Sequence, residues 1–393
     1  MELLKRTPSE KLREYLKLFP VVAIIGPRQA GKTTFARMEL PDWQYFDLEK
    51  PSDFARISAD REFFLNQYGD RCIIDEAQTL PELFPVLRNH IDSARNKKGR
   101  IVLLGSVNPL LIKNISESLA GRIGFVELGP FDYSEAKAWT GIGLEEFWLK
   151  GGYPEPLAWG EKEHTIWTEQ YVKTFVERDV FKTLKTSFSS QRQMQLLVML
   201  AHCHGKLWNS SQIASAFGTT YHTVNHYVEL MENYFLVRRL TPYYQNIGKR
   251  LVKSPKFYYR DSGLLHYLLN ISSLDALRNS PYRGFSFEGF VIEQLIRKHS
   301  LAADSQTGFY FYRTSQGDEI DLLVQTASQL LAYEIKISTS VELSGLAGFQ
   351  RSLEQLKLDK GVIVYFGKEN FNLNRQIEVK SIVSILNEGM ACS

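Results

Sequence analysis

Short apolar runs punctuate the first third of the chain, at residues 21–25, 44–47, 72–74, 101–104 and 124–128. Between most of them lie longer segments with apolar residues at three- and four-residue spacing. Strand-sized runs alternating with helical segments predict a parallel sheet covered on both faces. From about residue 144 to 187 the pattern turns helical, with Phe175 to Val180 as one half-buried face. A compact helical stretch follows at 191–234. Residues 264–280, where Leu, Ser, Asn and Asp alternate, read as a boundary. Beyond it, a helix at 287–298 precedes strand alternation at 309–312, 320–324, 331–337 and 362–366, a further α/β arrangement.

Length and charge narrow the reading. At 393 residues the chain exceeds what one hydrophobic core serves, so two to four domains are expected. A formal charge of +3 is too small to argue for a nucleic-acid partner, which only local charge can support. Cys72, Cys203 and Cys392 are odd in number and lack C-x-x-C spacing, which argues against a disulfide framework or a cysteine zinc site. Residues 1–18 alternate charge with leucine, unlike a signal peptide, and no apolar run approaches the ~20 residues that span a bilayer. A cytoplasmic protein with no membrane partner is the expectation.

One motif carries specific chemistry. Gly26-Pro27-Arg28-Gln29-Ala30-Gly31-Lys32-Thr33, followed by Thr34, fits G-x-x-x-x-G-K-[ST] between a predicted strand and a predicted helix. The glycines let main-chain amides turn around phosphates, and the helix N-terminus adds positive potential. Lys32 supplies charge between the β- and γ-phosphates, and the Thr33 hydroxyl suits Mg²⁺. Asp75 and Glu76 end the strand at 72–74, where Asp75 can order the metal and Glu76 polarise the attacking water. Ser106, after the strand at 101–104, either contacts the γ-phosphate or water, or caps the following helix. Arg122 either acts as an arginine finger on a neighbouring subunit or is a surface loop residue.

With Leu119-Ala120-Gly121-Arg122 and Gly151-Gly152-Tyr153-Pro154, these motifs resemble the AAA-type ATPases of bacteria and archaea that end in a nuclease-like domain of unknown function. The resemblance implies ATP with Mg²⁺; no guanine-reading Asn-Lys-x-Asp segment is present.

The middle of the chain offers a binding element. Residues 210–218 read as a helix ended by Gly218, and a second helix from Thr219 or Thr220 would turn Tyr221, His222, Asn225 and His226 outward, a helix-turn-helix pattern. Residues 236–260 hold Arg238, Arg239, Lys249, Arg250, Lys253, Lys256 and Arg260 with no acid, interleaved with tyrosines and Phe257. Such a wing would bind DNA backbone and stack bases; alternatively, its arginines pair with Asp and Glu at an interface. His202, His204, His222 and Cys203 lack ligand spacing for a metal.

In the last third, Glu288, Asp321, Glu334 and Lys336 form a second set. Period-two alternation puts Glu334 and Lys336 on one strand face. If the Asp321 strand is its neighbour, Asp321 and Glu334 can share a divalent metal, with Lys336 near a scissile phosphate. Glu288 completes the set, and Glu293 competes for that place. The arrangement resembles the PD-(D/E)xK nuclease core; Asp318 and Glu319 would crowd it with negative charge.

The architecture expected is α/β: a P-loop ATPase domain with a parallel sheet at 1–140, a helical lid at 141–190, a winged-helix domain at 191–270 and a restriction-endonuclease-like α/β domain at 275–393. The function expected is Mg²⁺-dependent ATP hydrolysis controlling a DNA-directed module. The alternative is a slow nucleotide-gated scaffold that binds proteins and cuts nothing. An oligomer is compatible with either.

Overall fold

The structure, a computed structural model, describes residues 4–106, 118–175, 188–244, 252–302, 307–341 and 345–387. The chain forms two compact units. One comprises Met1–Phe131 with Tyr153–Glu155 and Asn233–Phe235, and the other holds the remainder.

The first unit is built on β1 (Val21–Gly26), β2 (Gln44–Asp47), β3 (Cys72–Asp75), β4 (Ile101–Ser106) and β5 (Ile123–Glu127). They pair in the order β2-β3-β4-β1-β5, and every pairing is parallel. Alternate residues face opposite sides, and both sides of the inner strands β1, β3 and β4 are covered, which is why these read as apolar runs. Val21, Ala23, Ile74 and Leu103 pack with Phe46, Phe64, Phe84 and Leu87 on one face. Val22, Ile24, Ile73 and Leu104 pack with Leu12 and Phe35 on the other. Fully burying each such side chain is worth about 1.5–3 kcal/mol, so Ile74→Asp would break the sheet.

Strand order positions the chemistry. Because β4 lies between β1 and β3, the carboxyl ends of all three come side by side, and Ser106 pairs with Gly26 in register. Ligands of open parallel sheets bind at such carboxyl ends.

In the second unit, three helices (Ser190–Ala201, Ser210–Phe217 and Tyr221–Asn233) carry the buried Leu196, Leu197, Ile213, Phe217, Val224 and Val228. Asn209 caps the second helix, its side chain accepting from Gln212 N at 3.1 Å, and Gly218 ends it with φ 71°. Then come β6 (Lys206–Leu207), which precedes the last two helices, and β7 (Val237–Pro242) and β8 (Lys256–Tyr259). The later strands are β9 (Gly308–Arg313), β10 (Glu319–Gln325), β11 (Leu330–Lys336), β12 (Gly361–Tyr365), β13 (Phe371–Asn372) and β14 (Ile377–Ser381). All nine form one mixed sheet ordered β13-β14-β12-β11-β10-β9-β7-β8-β6, joined through the parallel pair β7/β9.

The stretch 264–280 is folded as the helices Ser262–Leu268 and Leu274–Arg278, with Leu264, Leu265 and Leu277 buried. Asp261 and Ser273 cap them, so the polar residues that suggested a boundary include a helix-starting one, Ser273. Asp261 also explains the Gly-Gly pair: its Oδ2 accepts from Gly152 N at 2.9 Å, and a Cβ on Gly151 (φ +77°) would lie 2.3 Å from its Oδ1. After Phe175, the helical face expected to Val180 lies outside the described residues. No helix among the described residues is long and apolar enough to cross a membrane.

Candidate functional site

The loop after β1 makes its turn with two left-handed residues, Gln29 (φ 60°) and Gly31 (φ 88°), and the helix Lys32–Glu39 starts at once. First-turn amides of a helix have no acceptor within it, so those of this helix are available to an anion. Gly26 must be glycine, since a Cβ would sit 2.0 Å from Leu128 O. Lys32 is buried, and its Nζ donates to Gly26 O at 3.0 Å and Pro27 O at 2.8 Å. Burial pushes its pKa down to about 8, against the pull of Glu76 and Asp75. An ammonium placed so has much to gain from a phosphate.

Asp75 stands beside it. Its Oδ2 accepts from Thr33 Oγ1 at 2.6 Å and from Tyr45 OH at 2.8 Å, and its Oδ1 accepts from Glu76 N at 2.8 Å. The Thr33 hydroxyl and Asp75 carboxylate are adjacent hard oxygen donors, the set that suits Mg²⁺. Glu76 is a non-glycine residue in the left-handed region (φ 52°), a backbone state that costs about 1–3 kcal/mol and tends to mark functional sites. Burial raises its pKa, opposed by Lys32 and reinforced by Asp75, and Gln78 Nε2 donates to its Oε2. Thr34 is exposed, and Arg28 pairs with Glu49 at 3.6 Å.

Two residues of this site carry no sequence motif. Tyr45 reaches Asp75 because β2 and β3 are neighbours in register. Arg6, 6% exposed, donates to Ala30 O at 2.9 Å and Gly129 O at 2.8 Å and lies over the Phe131 ring at 4.6 Å, bracing the loop. The backbone of Ser106 lies beside Gly26, while its side chain falls outside the described residues. Arg122 lies elsewhere. Its carbonyl accepts from Val21 N at the amino end of β1, opposite the loop, and its guanidinium grips Asp92 at 2.7 and 2.9 Å. It is no part of its own chain's phosphate site.

In the second unit, β10 and β11 are antiparallel neighbours, and one extra residue on β10 between Ile320 and Leu323 shifts the register at Asp321. The helix Arg283–Ala302 packs on both strands and carries Glu288. Of the four expected residues, Glu288 and Asp321 gather around a lysine assigned above to the wing, while Lys336 pairs with Glu334. Lys256 Nζ lies 2.8 Å from Glu288 Oε1 and 3.5 Å from Asp321 Oδ1, and it pairs with Glu319. Tyr258 OH donates to Glu288 Oε1 at 2.6 Å, Asp321 Oδ2 accepts from Ile335 N at 2.9 Å, and Lys336 Nζ donates to Glu334 Oε1 at 2.7 Å. Asp318 is held by Arg351 at 2.6 Å, so it does not crowd the centre as expected. Where the sequence suggests a metal shared by Glu288, Asp321 and Glu334, an ammonium stands among Glu288, Glu319 and Asp321. Among the described residues no group of three or more His, Cys, Asp or Glu is arranged for a metal ion. Glu293 belongs to a different pairing, with Arg238 and Arg260; burial raises its pKa, but the two guanidiniums prevail and hold it at about 2.

The basic wing is largely spent inside the unit. Arg238 and Arg260 pair with Glu293, Arg239 with Glu232, and Lys256 with the carboxylates above; Lys253 is exposed. Lys249 and Arg250 lie outside the described residues. On the helix Tyr221–Asn233, Tyr221, His222 and His226 are exposed, whereas Asn225 turns inward to accept from Trp208 Nε1 at 3.0 Å.

Residues 18–137 match the AAA domain family, residues 141–275 the domain of unknown function DUF8612, and residues 283–385 the domain of unknown function DUF4143. Two proteins described as uncharacterized, from Mycobacterium bovis and Mycobacterium tuberculosis, are each 36% identical over 389 residues, 98% of this chain and 85% of theirs. Among solved structures, a Walker-type ATPase of Pyrococcus abyssi aligns with TM-score 0.48 and 18% identity over 68% of this chain and 96% of that one. The RuvB Holliday junction branch migration motor of Thermotoga maritima aligns with TM-score 0.30 and 17% identity over 60% and 90%. The chain belongs to the family of the two mycobacterial proteins, and its AAA domain and phosphate-loop geometry make it an AAA-type P-loop ATPase.

Proposed function

We propose that the protein is a Mg²⁺-dependent ATP hydrolase whose nucleotide state sets the partner-binding state of its second unit. The observation that carries this is Lys32: a buried ammonium held by two carbonyls at the start of a helix, with Asp75 and Glu76 beside it. The main-chain N–H groups between Gly26 and Thr33, Pro27 excepted, would cradle the phosphates, and Lys32 would bridge the β- and γ-groups. Thr33 and Asp75 would hold Mg²⁺, which neutralises charge developing on the phosphates. Tyr45 holds the Asp75 carboxylate in place, and Glu76 orients and deprotonates the attacking water.

A protein partner for the second unit is favoured over DNA, because four of the basic residues that would contact backbone (Arg238, Arg239, Lys256 and Arg260) are engaged by internal carboxylates. The exposed Tyr221, His222 and His226 keep a winged-helix contact with DNA as the second reading. ATP turnover measured with and without duplex DNA at two salt concentrations separates them. Salt-independent turnover that DNA leaves unchanged supports the protein-partner reading, and salt-sensitive stimulation supports DNA.

A further inference from the structure

Lys256 is the residue around which the acidic centre of the second unit is organised. It lies on β8, paired with Leu207 on β6 and Leu240 on β7, and is 3% exposed, so its side chain is fixed from a strand paired on both sides. An ammonium has three N–H donors, and three carboxylates meet this one: Glu288 at 2.8 Å, Asp321 at 3.5 Å, and Glu319. Glu319 is also paired with Arg313 at 3.1 Å. At the side of this cluster, Glu334, 9% exposed, gives Oε1 to Lys336, while its Oε2 is buried with no partner. Four carboxylates from one helix and two strands thus converge, with more acceptor capacity than the protein's own cations fill.

Carboxylate oxygens in this number are ligands for a hard divalent cation, and the ammonium stands at the point that Glu288, Glu319 and Asp321 share. We propose that Lys256 is the built-in counter-cation of a latent divalent-metal site formed by Glu288, Glu319 and Asp321, with Glu334 at its side. In the native chain the lysine charge does permanently what an exchangeable ion would do. The centre therefore ties the helix Arg283–Ala302 to β8 and β10 without metal, and the second unit cuts no phosphodiester by a metal-dependent route through these residues. Removing the ammonium leaves buried carboxylates facing one another, which is strongly destabilising unless another cation enters.

The test is Mn²⁺ binding, counted by electron paramagnetic resonance in the absence of nucleotide, together with melting in Mn²⁺ and in EDTA. Native protein, Asp321→Asn, Lys256→Ala and the double variant are compared, so ions bound elsewhere cancel. Native and Asp321→Asn proteins are expected to bind equal Mn²⁺. Lys256→Ala is expected to bind about one more ion per chain and to regain in Mn²⁺ most of the melting temperature it loses in EDTA, and Asp321→Asn is expected to abolish both effects. The proposal is overturned if native protein loses an ion on Asp321→Asn, or if Lys256→Ala folds and gains none. Should Lys256→Ala fold only with Mn²⁺ present, that supports the proposal. Should it not fold at all, the comparison of native and Asp321→Asn proteins decides. None of these outcomes depends on the nucleotide site.

Discussion

Each unit of this protein buries a lysine in its acidic centre, and the two are opposite in kind. Lys32, 8% exposed, donates to two carbonyl oxygens, and burial lowers its pKa to about 8. Lys256, 3% exposed, suffers the same burial, yet the surrounding Tyr258, Glu288, Asp321 and Glu319 raise its pKa well above the ordinary value. The first ammonium is held by neutral dipoles and gains when an anion arrives. The second is already neutralised by its own chain. Burial of a charge is thus not enough to mark a binding site; what distinguishes the two is whether carboxylates bond to the ammonium, as at Lys256, or only stand near it, as at Lys32.

The sharpest way to break the contrast is at the hydrolytic end of the first centre. Glu76→Gln should lower ATP turnover about 10²–10⁴-fold while leaving nucleotide affinity nearly unchanged, measured by steady-state release of phosphate beside a binding titration. Equal turnover would remove Glu76 from the chemistry. Because burial holds Glu76 above the usual carboxylate range, the acid limb of the turnover profile should fall at a higher pH than an ordinary glutamate would give.

In the second unit, Glu293→Gln leaves Arg238 and Arg260 without their buried partner, and should cost about 3–5 kcal/mol of stability by denaturant melting, with ATP affinity unchanged. The sign with pH follows from its lowered pKa. The stabilisation is fully present above the pKa of an unfolded glutamate and is lost as pH falls toward about 2, a loss the variant should not show.

A smaller effect is expected from Tyr45→Phe, which removes one hydrogen bond to Asp75, worth about 0.5–1.5 kcal/mol. Affinity for ATP with Mg²⁺ should fall up to about tenfold, whereas affinity without Mg²⁺ should not move. The smallest signal is Lys32 in the nucleotide-free protein. Its folded pKa lies below its unfolded one, so the cost of burying its charge is present below about pH 8 and is relieved as pH rises toward 10.5. Stability of the native protein relative to Lys32→Met should rise across that window.

Much of the first centre was legible because its parts are adjacent in the chain. Gly26 to Thr33 follow one another along one loop, and Asp75 and Glu76 follow one another at the end of one strand, so local pattern suffices. Tyr45 was not legible, since its bond to Asp75 crosses thirty residues and depends on the register of β2 with β3. The second centre shows the same limit more plainly. Glu288, Asp321 and Glu334 were picked out and do converge, but Lys256 looked like a wing residue because it sits in a basic stretch, 236–260, that holds no acid. Its partners Glu288 and Asp321 lie 32 and 65 residues away. The nine-stranded sheet was missed for the same reason: the β7/β9 pairing joins two stretches that each looked like a domain of their own.

The most direct test of the account is a titration of the purified protein with fluorescent ATP and Mg²⁺, repeated with Lys32→Ala, folding of the variant being checked by circular dichroism. Saturable binding by the native protein, weakened at least a hundredfold in the folded variant, is the predicted result. Equal binding by both proteins, or none by the native one, would contradict it.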